Sequence, residues 1–331
     1  MSETLLKISD LFVTFDSDGR KIPAIQGVSL QIQKGRVLGL VGESGCGKSV
    51  TSLSIMDLLD HEFSHIEGSI QLGDTELVHM PVTEMQKIRG NKISMVFQEP
   101  MTSLNPVYTV DQQISEVLML HQNKSAAEAH GIVVEMLKKV GLADPERIAR
   151  SYPHSLSGGQ RQRVMIAMAL CCQPLLLICD EPTTALDVTI QAQVLDLLRD
   201  LQRETGTSIL FITHDLGVIA EIADDVAVMY AGRIVETTDI ETIFDTPLHP
   251  YTQGLMASRT DVGEGEIFTG SNRKLPCIPG NVPTPNNLPK GCSFAPRCDR
   301  CMGKCMESMP ELFDAGNGHM VRCWLYEKGA K

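Results

Sequence analysis

Short apolar runs alternate with helix-like segments along the first 245 residues of this chain. The apolar runs are rich in β-branched and other aliphatic residues: VLGLVG (37–42), ISMVF (93–97), LLLIC (175–179), SILFIT (208–213) and VAVMY (226–230). Strands that are apolar along their whole length and are separated by helices are typical of a parallel sheet covered on both faces. The pattern therefore predicts an α/β fold with a parallel-sheet core.

Two other patterns interrupt this core. The early segments LFVTF (11–15), SLQIQ (29–33) and SIQL (69–72) alternate apolar and polar positions, which predicts an antiparallel β-subdomain. Between about residues 100 and 165 the apolar spacing becomes helical. We therefore expect a helical subdomain to be inserted there.

The sequence changes character after Pro247. Pro, Gly and Asn concentrate in PCIPGNVPTPNNLPKG (276–291), a composition that indicates loop or linker. We accordingly divide the chain into a main domain at 1–246 and a C-terminal extension at 247–331.

Composition and charge exclude several classes of protein. The chain has 331 residues, of which 43% are apolar and 21% charged, as is usual for a globular protein. Its 41 acidic and 29 basic residues give a net charge of −12, which argues against a surface built mainly to hold nucleic acid. No stretch reaches the roughly 18 apolar residues of a membrane-spanning helix, and the start, MSETLLKISD, lacks the pattern of a signal peptide. We expect a cytosolic protein whose work at a membrane would go through partners.

The segment GESGCGKS (42–49) has the G-x-x-x-x-G-K-[ST] spacing of a phosphate-binding loop. It follows an apolar strand and opens a helix, so that backbone N–H groups and the positive end of the helix dipole would point at phosphate. Lys48 would reach the β- and γ-phosphates of a nucleotide, and Ser49 would bind Mg²⁺. The motif alone indicates a P-loop NTPase and leaves kinases, GTPases and many motors as alternatives. The expected nucleotide contacts are this loop and the residue after it: Gly42, Glu43, Ser44, Gly45, Cys46, Gly47, Lys48, Ser49 and Val50.

An acidic motif further along the chain points to hydrolysis. In LLLICDE (175–181) a buried strand would deliver Asp180 to the metal ion and place Glu181 one residue beyond it. A carboxylate there can orient the water that attacks the γ-phosphate, or accept its proton. Paired with the phosphate-binding loop, this motif predicts a nucleoside triphosphate hydrolase.

The segment LSGGQRQR (156–163) is the most specific motif in the chain. It places a hydroxyl and unobstructed backbone amides at a helix start, which is a second anion-binding device. The residues concerned are Ser157, Gly158, Gly159 and Gln160. Because one loop already holds the phosphates, we expect this segment to close over ATP bound by a different subunit.

With this motif the chain resembles the ATPases of ABC transporters, and the other features of that family follow in order. The resemblance implies that Phe15 stacks on adenine, that Gln98 senses Mg²⁺ and that His214 clamps the γ-phosphate. ALD (185–187) would form the loop that crosses between subunits, with Asp187 at its end. The implied site has a catalytic pair, Glu181 and His214, and three Mg²⁺ contacts, Ser49, Gln98 and Asp180. The implied fold is a RecA-like P-loop NTPase core with an antiparallel β-subdomain, a helical insertion and a cysteine-rich extension.

The chain most closely resembles the ATP-binding subunits of bacterial dipeptide and oligopeptide importers. Segments that carry this resemblance are QEPMTSLNP (98–106), EPTTALDVTIQAQVLDLL (181–198), HPYTQGLMAS (249–258) and GCSFAPRC (291–298). The resemblance implies two transmembrane permeases, a second and related ATPase chain, and an extracytoplasmic binding protein, with no nucleic acid. It places the chain at the cytoplasmic face of the bacterial inner membrane, with residues 99–101 beside a permease helix.

Other cargoes and other classes are alternatives to this interpretation. The same subfamily also serves nickel, metal chelates, glycans and antimicrobial peptides, and the ATPase does not touch the cargo. A soluble ABC ATPase acting on nucleic acid usually has two cassettes, a long coiled coil or basic stretches, none of which occurs here. A subunit that binds ATP without hydrolysing it would lack Glu181 or His214, and both are present.

The extension carries most of the chain's ten cysteines. Thiols this dense in a cytosolic protein usually bind metal. The resemblance to peptide-importer ATPases implies a [4Fe–4S] cluster held by Cys292, Cys298, Cys305 and Cys323, with Cys301 as a substitute ligand. A zinc site and cysteines that only pack are the alternatives.

Overall fold

The computed structural model describes residues 3–17, 19–99, 103–184, 187–258 and 277–327. The strands in these ranges are β1 (Thr4–Ser17), β2 (Arg20–Gln33), β3 (Val37–Val41), β4 (Ser64–Leu72), β5 (Thr75–Glu76), β6 (Ile93–Val96), β7 (Leu176–Asp180), β8 (Ser208–Thr213), β9 (Asp225–Tyr230), β10 (Arg233–Asp239), β11 (Phe313–Asp314) and β12 (Met320–Val321).

The α-helices described in the same ranges are α1 (Lys48–Ile55), α2 (Val82–Ile88), α3 (Val110–Gln122), α4 (Ala126–Lys139), α5 (Pro145–Arg150), α6 (Gly158–Leu170), α7 (Val188–Thr205), α8 (Leu216–Ile222), α9 (Ile240–Asp245), α10 (Pro250–Ala257) and α11 (Gly303–Glu307). Short 3₁₀ turns lie at Pro153–Ser155, Pro285–Asn287, Ala295–Arg297 and Trp324–Tyr326. Within the described part of the chain, no helix combines the length and the apolar character needed to cross a bilayer.

The larger sheet has the strand order β11-β12-β10-β9-β3-β8-β7-β6, and its strands from β9 to β6 run parallel. Every residue of β3, β7 and β8 is buried, as expected for strands covered on both faces. The predicted α/β fold is confirmed. Because parallel strands end at one edge of the sheet, the loops after β3, β6, β7 and β8 meet there.

The smaller sheet is antiparallel, with the order β2-β1-β4-β5. Its alternating pattern sends one face inward, where Leu6 and Ile8 before a register shift in β1, and Leu11 and Val13 after it, are fully buried. These side chains share one hydrophobic cluster with Leu38 and Leu40 of β3. The small sheet therefore packs against the strand that leads into the phosphate-binding loop.

Helices α3 to α6 correspond to the helical segment that the sequence predicts between about residues 100 and 165. Helices α3 and α4 each begin with a capping box, in which Thr109 and Ser125 accept a hydrogen bond from the N–H three residues on. Helix α4 then buries Ala129, Val133 and Leu137, which follow one another at four-residue spacing along one face. Local capping and apolar spacing explain why these helices form.

The extension is joined to the main domain by the larger sheet. Strand β12 pairs with β10, and β11 pairs with β12. The fully buried Glu236 of β10 accepts hydrogen bonds from the N–H groups of Leu248 and His249 at 2.7 and 2.9 Å, and it pairs with the ring of His319 at 2.7 Å. The sequence analysis predicts no strand at β11 or β12, because strands of two residues carry no periodic pattern.

Candidate active site

The loop 42–47 connects β3 to α1 and forms the floor of a cavity of about 510 Å³. Gly47 has a φ of +110°, and a Cβ there would lie 2.7 Å from Ile25 Cδ1 and 2.8 Å from Met229 Cε. Only glycine fits this position, so the loop is held in a turn that exposes its backbone. The cavity is lined by Ala24, Glu43, Ser44, Gly45, Gly47, Lys48, Ser49, Val50, Gln98, Glu181, His214, Leu255 and Pro285.

The first two residues of α1, Lys48 and Ser49, have side chains suited to phosphate and to a metal ion respectively. The Lys48 ammonium donates to the carbonyl oxygens of Gly42 at 2.8 Å and Glu43 at 3.2 Å, which keeps it over the loop. The Ser49 hydroxyl donates to an Asp180 carboxylate oxygen at 3.1 Å. Burial raises the pKa of Asp180 above its ordinary value. The structure thus brings together two oxygen ligands suited to Mg²⁺, as the sequence predicts.

Glu181 lies at the centre of a polar cluster beside the cavity. One carboxylate oxygen accepts hydrogen bonds from Gln98 Nε2 at 3.1 Å and Thr184 Oγ1 at 2.9 Å, and the other lies 3.2 Å from His214 Nδ1. The backbone of Glu181 is left-handed, with φ +46°, a conformation that is strained for a residue other than glycine. The cluster can orient a water molecule and take up its proton. Thr184 is a member of this cluster that the sequence analysis missed.

The Ser157–Gln160 segment forms the start of α6 and does not line the cavity. The Ser157 hydroxyl accepts a hydrogen bond from the Gln160 N–H at 3.3 Å, and Ser157 and Gly158 are exposed. Asp187 caps α7 by accepting from the Ile190 N–H at 2.9 Å. Ala185 and Leu186 lie outside the described residues. An exposed helix start outside the residues that line the cavity is suited to contact an anion held elsewhere, and its role towards a partner's nucleotide stays a prediction.

Three predicted nucleotide contacts, Phe15, Gly42 and Cys46, are not among the residues that line the cavity. Phe15 lies near the end of β1, paired with Ile22 and half-buried, and it is not among the residues that line the cavity, whereas Ala24 is. Its stacking on adenine stays a prediction. Cys46 is buried within the loop with Sγ 4.0 Å from Lys48 Nζ, and burial raises the pKa of this thiol. Its side chain therefore packs inside the loop, away from the cavity.

Four residues of the extension line the cavity or contact its loop, and the sequence analysis assigns none of them to the site. Leu255 of α10 and Pro285 contribute to the cavity wall. The Tyr251 hydroxyl accepts a hydrogen bond from the Glu43 N–H at 2.9 Å, and Arg297 forms an ion pair with the Glu43 side chain. These contacts join residues far apart in sequence, for which no local pattern exists.

The tail cysteines converge in part. Cys292, Cys298, Cys305 and Cys323 line one small cavity, about 10 Å³ in volume, whereas Cys301 is exposed and lies outside it. Burial raises the pKa values of Cys292 and Cys323 to about 11. Among the described residues, no three His, Cys, Asp or Glu side chains are placed to hold a metal ion. The metal site therefore stays a prediction.

The fold and the polar cluster at its sheet edge define an ATP-binding cassette. Residues 25–184 match the ABC transporter family. The dimeric structure of MJ0796, a bacterial ABC transporter cassette, resembles this chain with a TM-score of 0.64 and 29% identity, covering 71% of this chain and 98% of that chain.

The match of the C-terminal region indicates which group of ABC transporters the chain belongs to. Residues 235–305 match the C-terminal region of oligopeptide/dipeptide transporters. The oligopeptide transport ATP-binding protein AppD of Bacillus subtilis is 54% identical over 98% of both chains, and a putative peptide import ATP-binding protein of Brucella ovis is 51% identical over 98% of both. The chain belongs to the family of ATP-binding subunits of oligopeptide/dipeptide ABC transporters, and it hydrolyses ATP in coupling to transport. A subunit of this kind works with partner subunits that cross the membrane.

Proposed function

We propose that this chain powers the import of dipeptides and oligopeptides from the cytoplasmic face of the inner membrane. It would act with two permeases and a second, related ATPase chain, while an extracytoplasmic protein delivers the cargo. The observation that carries the peptide assignment is the match of residues 235–305, together with relatives named for peptide transport over nearly the whole chain. The cassette alone is shared by transporters of many cargoes.

The proposed chemistry follows from the side chains at the cavity. Lys48 binds the β- and γ-phosphates of ATP, and Ser49 and Asp180 hold Mg²⁺, which neutralises phosphate charge. Glu181 orients the attacking water and takes its proton, while Gln98 and Thr184 hold the carboxylate in place. His214, whose side chain is half exposed, faces the γ-phosphate. The products are ADP and inorganic phosphate.

A dimer completes the site in this proposal. The exposed segment at Ser157 and Gly158 would close over ATP bound by the other subunit, and Asp187 would lie near the crossing between the two chains. Its support is the position of these residues outside the chain's own cavity. MJ0796, with 29% identity, is dimeric in its solved structure.

The function is tested by reconstitution in proteoliposomes with two permeases, the second ATPase chain and the extracytoplasmic binding protein of a peptide importer from the same organism. ATP-dependent uptake of a labelled tripeptide is expected with the parent protein and not with Glu181→Gln. Nickel and a labelled oligosaccharide serve as competing cargoes in the same vesicles. Uptake of either one without peptide uptake would refute the peptide assignment and leave the ATPase assignment intact.

We also propose that the tail cysteines hold a [4Fe–4S] cluster, with zinc as the alternative. The side chains present suit either metal centre, because four thiols line one cavity and both iron–sulfur clusters and zinc favour thiolate ligands. The four thiols would have to shift from their described positions, because the cavity they line has a volume of only about 10 Å³ and no three of these side chains are placed there to hold a metal ion. Cys301, exposed and outside the cavity, is not among the proposed ligands.

Anaerobic purification followed by an absorption spectrum and by iron, sulfide and zinc analysis tests this cluster. About four irons and four sulfides per chain are expected, and their loss is expected in Cys292→Ser and Cys323→Ser. Cys277→Ser is the matched control, because Cys277 is exposed and lies outside the cavity. One zinc per chain would identify the alternative, and absence of both metals would refute the proposal.

A further inference from the structure

Arg297 of the extension reaches the phosphate-binding loop. It ends the 3₁₀ turn Ala295–Arg297, and only 5% of its side chain is exposed. Its two terminal nitrogens donate to the two carboxylate oxygens of Glu43, at 2.6 and 3.0 Å. This two-point geometry is the strongest form of an arginine–carboxylate pair, and burial shields it from solvent screening. Glu43 is the residue that follows the first glycine of the loop.

The guanidinium is itself held in place. Its Nε donates to the carbonyl of Pro279 at 2.9 Å. Its Cζ lies 5.8 Å from the ring centre of Tyr230 and 6.0 Å from that of Phe294. An arginine fixed by packing and by a third hydrogen bond loses little further freedom when it binds a carboxylate. The pair with Glu43 is therefore a preformed contact.

Glu43 is fixed through its backbone as well. Its N–H donates to the hydroxyl of Tyr251, a fully buried residue of α10, at 2.9 Å. Its carbonyl accepts from Lys48 at 3.2 Å, so the same residue also locates the phosphate-binding ammonium. The extension thus contacts Glu43 twice: Arg297 binds its side chain, and Tyr251 binds its backbone N–H.

A loop of this kind needs such support. Gly42, Gly45 and Gly47 all have positive φ, and glycine gives a chain many alternative conformations. A ligand that binds only one of them has its affinity reduced by the fraction of molecules in that conformation. Contacts that populate the binding conformation therefore strengthen nucleotide affinity without touching the nucleotide.

We propose that Arg297 is a positioning residue of the ATPase, which acts through Glu43 to hold the phosphate-binding loop in its nucleotide-binding conformation. The nucleotide site is then completed by the extension, which also supplies Leu255 and Pro285 to its wall. This role requires ATP binding alone. It is independent of the peptide cargo, so its failure would leave the cargo proposal standing.

The test measures the dissociation constant for MgATP and the steady-state ATPase kinetics of the full-length chain. Arg297→Met is expected to weaken MgATP binding roughly tenfold and to raise KM, since a charge-assisted pair is lost. The kcat at saturating ATP should change less than about threefold, because Glu181 and Asp180 keep their partners. Arg297→Lys keeps the positive charge but loses the two-point contact with the carboxylate. Its dissociation constant for MgATP is expected to lie between those of the parent and Arg297→Met.

Arg322→Met is the matched control. Arg322 is a partly buried arginine of the extension, and its side chain donates to the carbonyls of Ile234 and Pro310, away from the loop. It should lower the melting temperature without changing the dissociation constant. An equal loss of affinity in Arg322→Met would assign the effect to general loosening of the extension and overturn the proposal.

A double-mutant cycle with Glu43→Gln tests the route of the effect. If Arg297 acts through Glu43, the double variant should bind MgATP no more weakly than the weaker single variant. Additive losses would show that Arg297 acts elsewhere and would refute the proposal. If Arg297→Met does not fold, Glu43→Gln and Arg297→Lys still decide it, because unchanged affinity in both would equally refute it.

Discussion

Replacing Glu181 with Gln should separate ATP binding from ATP cleavage. Only 13% of the Glu181 side chain is exposed, and one of its oxygens accepts from both Gln98 and Thr184. The amide oxygen of a glutamine can keep these two hydrogen bonds, and its NH₂ group would then face His214 Nδ1. The variant should therefore retain the geometry of the site and lose only the basic carboxylate oxygen.

The magnitude follows from the role of a general base, which contributes about 10²- to 10⁴-fold to a rate. This corresponds to about 3–5 kcal/mol in the activation free energy. We expect kcat to fall by that factor, while the dissociation constant for MgATP stays within about threefold of the parent value. The variant should also accumulate as an ATP-bound dimer, detectable by size-exclusion chromatography.

The assay is phosphate release at saturating MgATP, with nucleotide binding measured on the same preparation. Glu84→Gln is the control, because Glu84 is an exposed carboxylate of α2 that pairs with Lys87 at 2.7 Å and is not among the cavity-lining residues. It should hydrolyse ATP at the parent rate. A kcat for Glu181→Gln within about threefold of the parent would refute the assignment of Glu181 as the base.

Three further predictions test the loop and the extension. Lys48→Ala should lose most of its MgATP affinity, measured by calorimetric titration. Unchanged affinity would contradict the assignment of the phosphate site to the loop 42–49. Gly47→Ala should destabilise the protein, in urea unfolding, by more than Gly73→Ala, because both positions have positive φ but only the first places a Cβ 2.7 Å from Ile25; equal losses would refute the steric argument. Burial lowers the pKa of His249 to about 3, so above pH 6.5 the folded and unfolded states are both neutral there, and below it the unfolded state alone binds the proton. Stability should therefore fall from pH 6.5 towards 3 by up to about 1.4 kcal/mol per pH unit from this group, and urea unfolding of His249→Asn should lack that part of the slope; an identical slope in the variant would contradict the assignment.

The sequence by itself determined the elements and most of the site. Apolar runs and alternation report local burial, so they located the parallel core strands and the antiparallel sheet before any tertiary contact was known. The phosphate-binding loop, Asp180 and Glu181 follow strands that end at one edge of a parallel sheet, so their approach to Gln98 and His214 was predictable from topology. The resemblance of LSGGQRQR and these motifs to those of ABC transporter ATPases indicated the family.

Only the tertiary structure decided what the extension does. Glu43 and Arg297 are 254 residues apart, and neither belongs to a pattern that would pair them. Strands β11 and β12 are too short to produce a periodic signal, and they form because β10 offers an edge. The physical reason is that local patterns record which faces of an element are buried, whereas a long-range ion pair depends on where two separate segments are brought by the packing of everything between them.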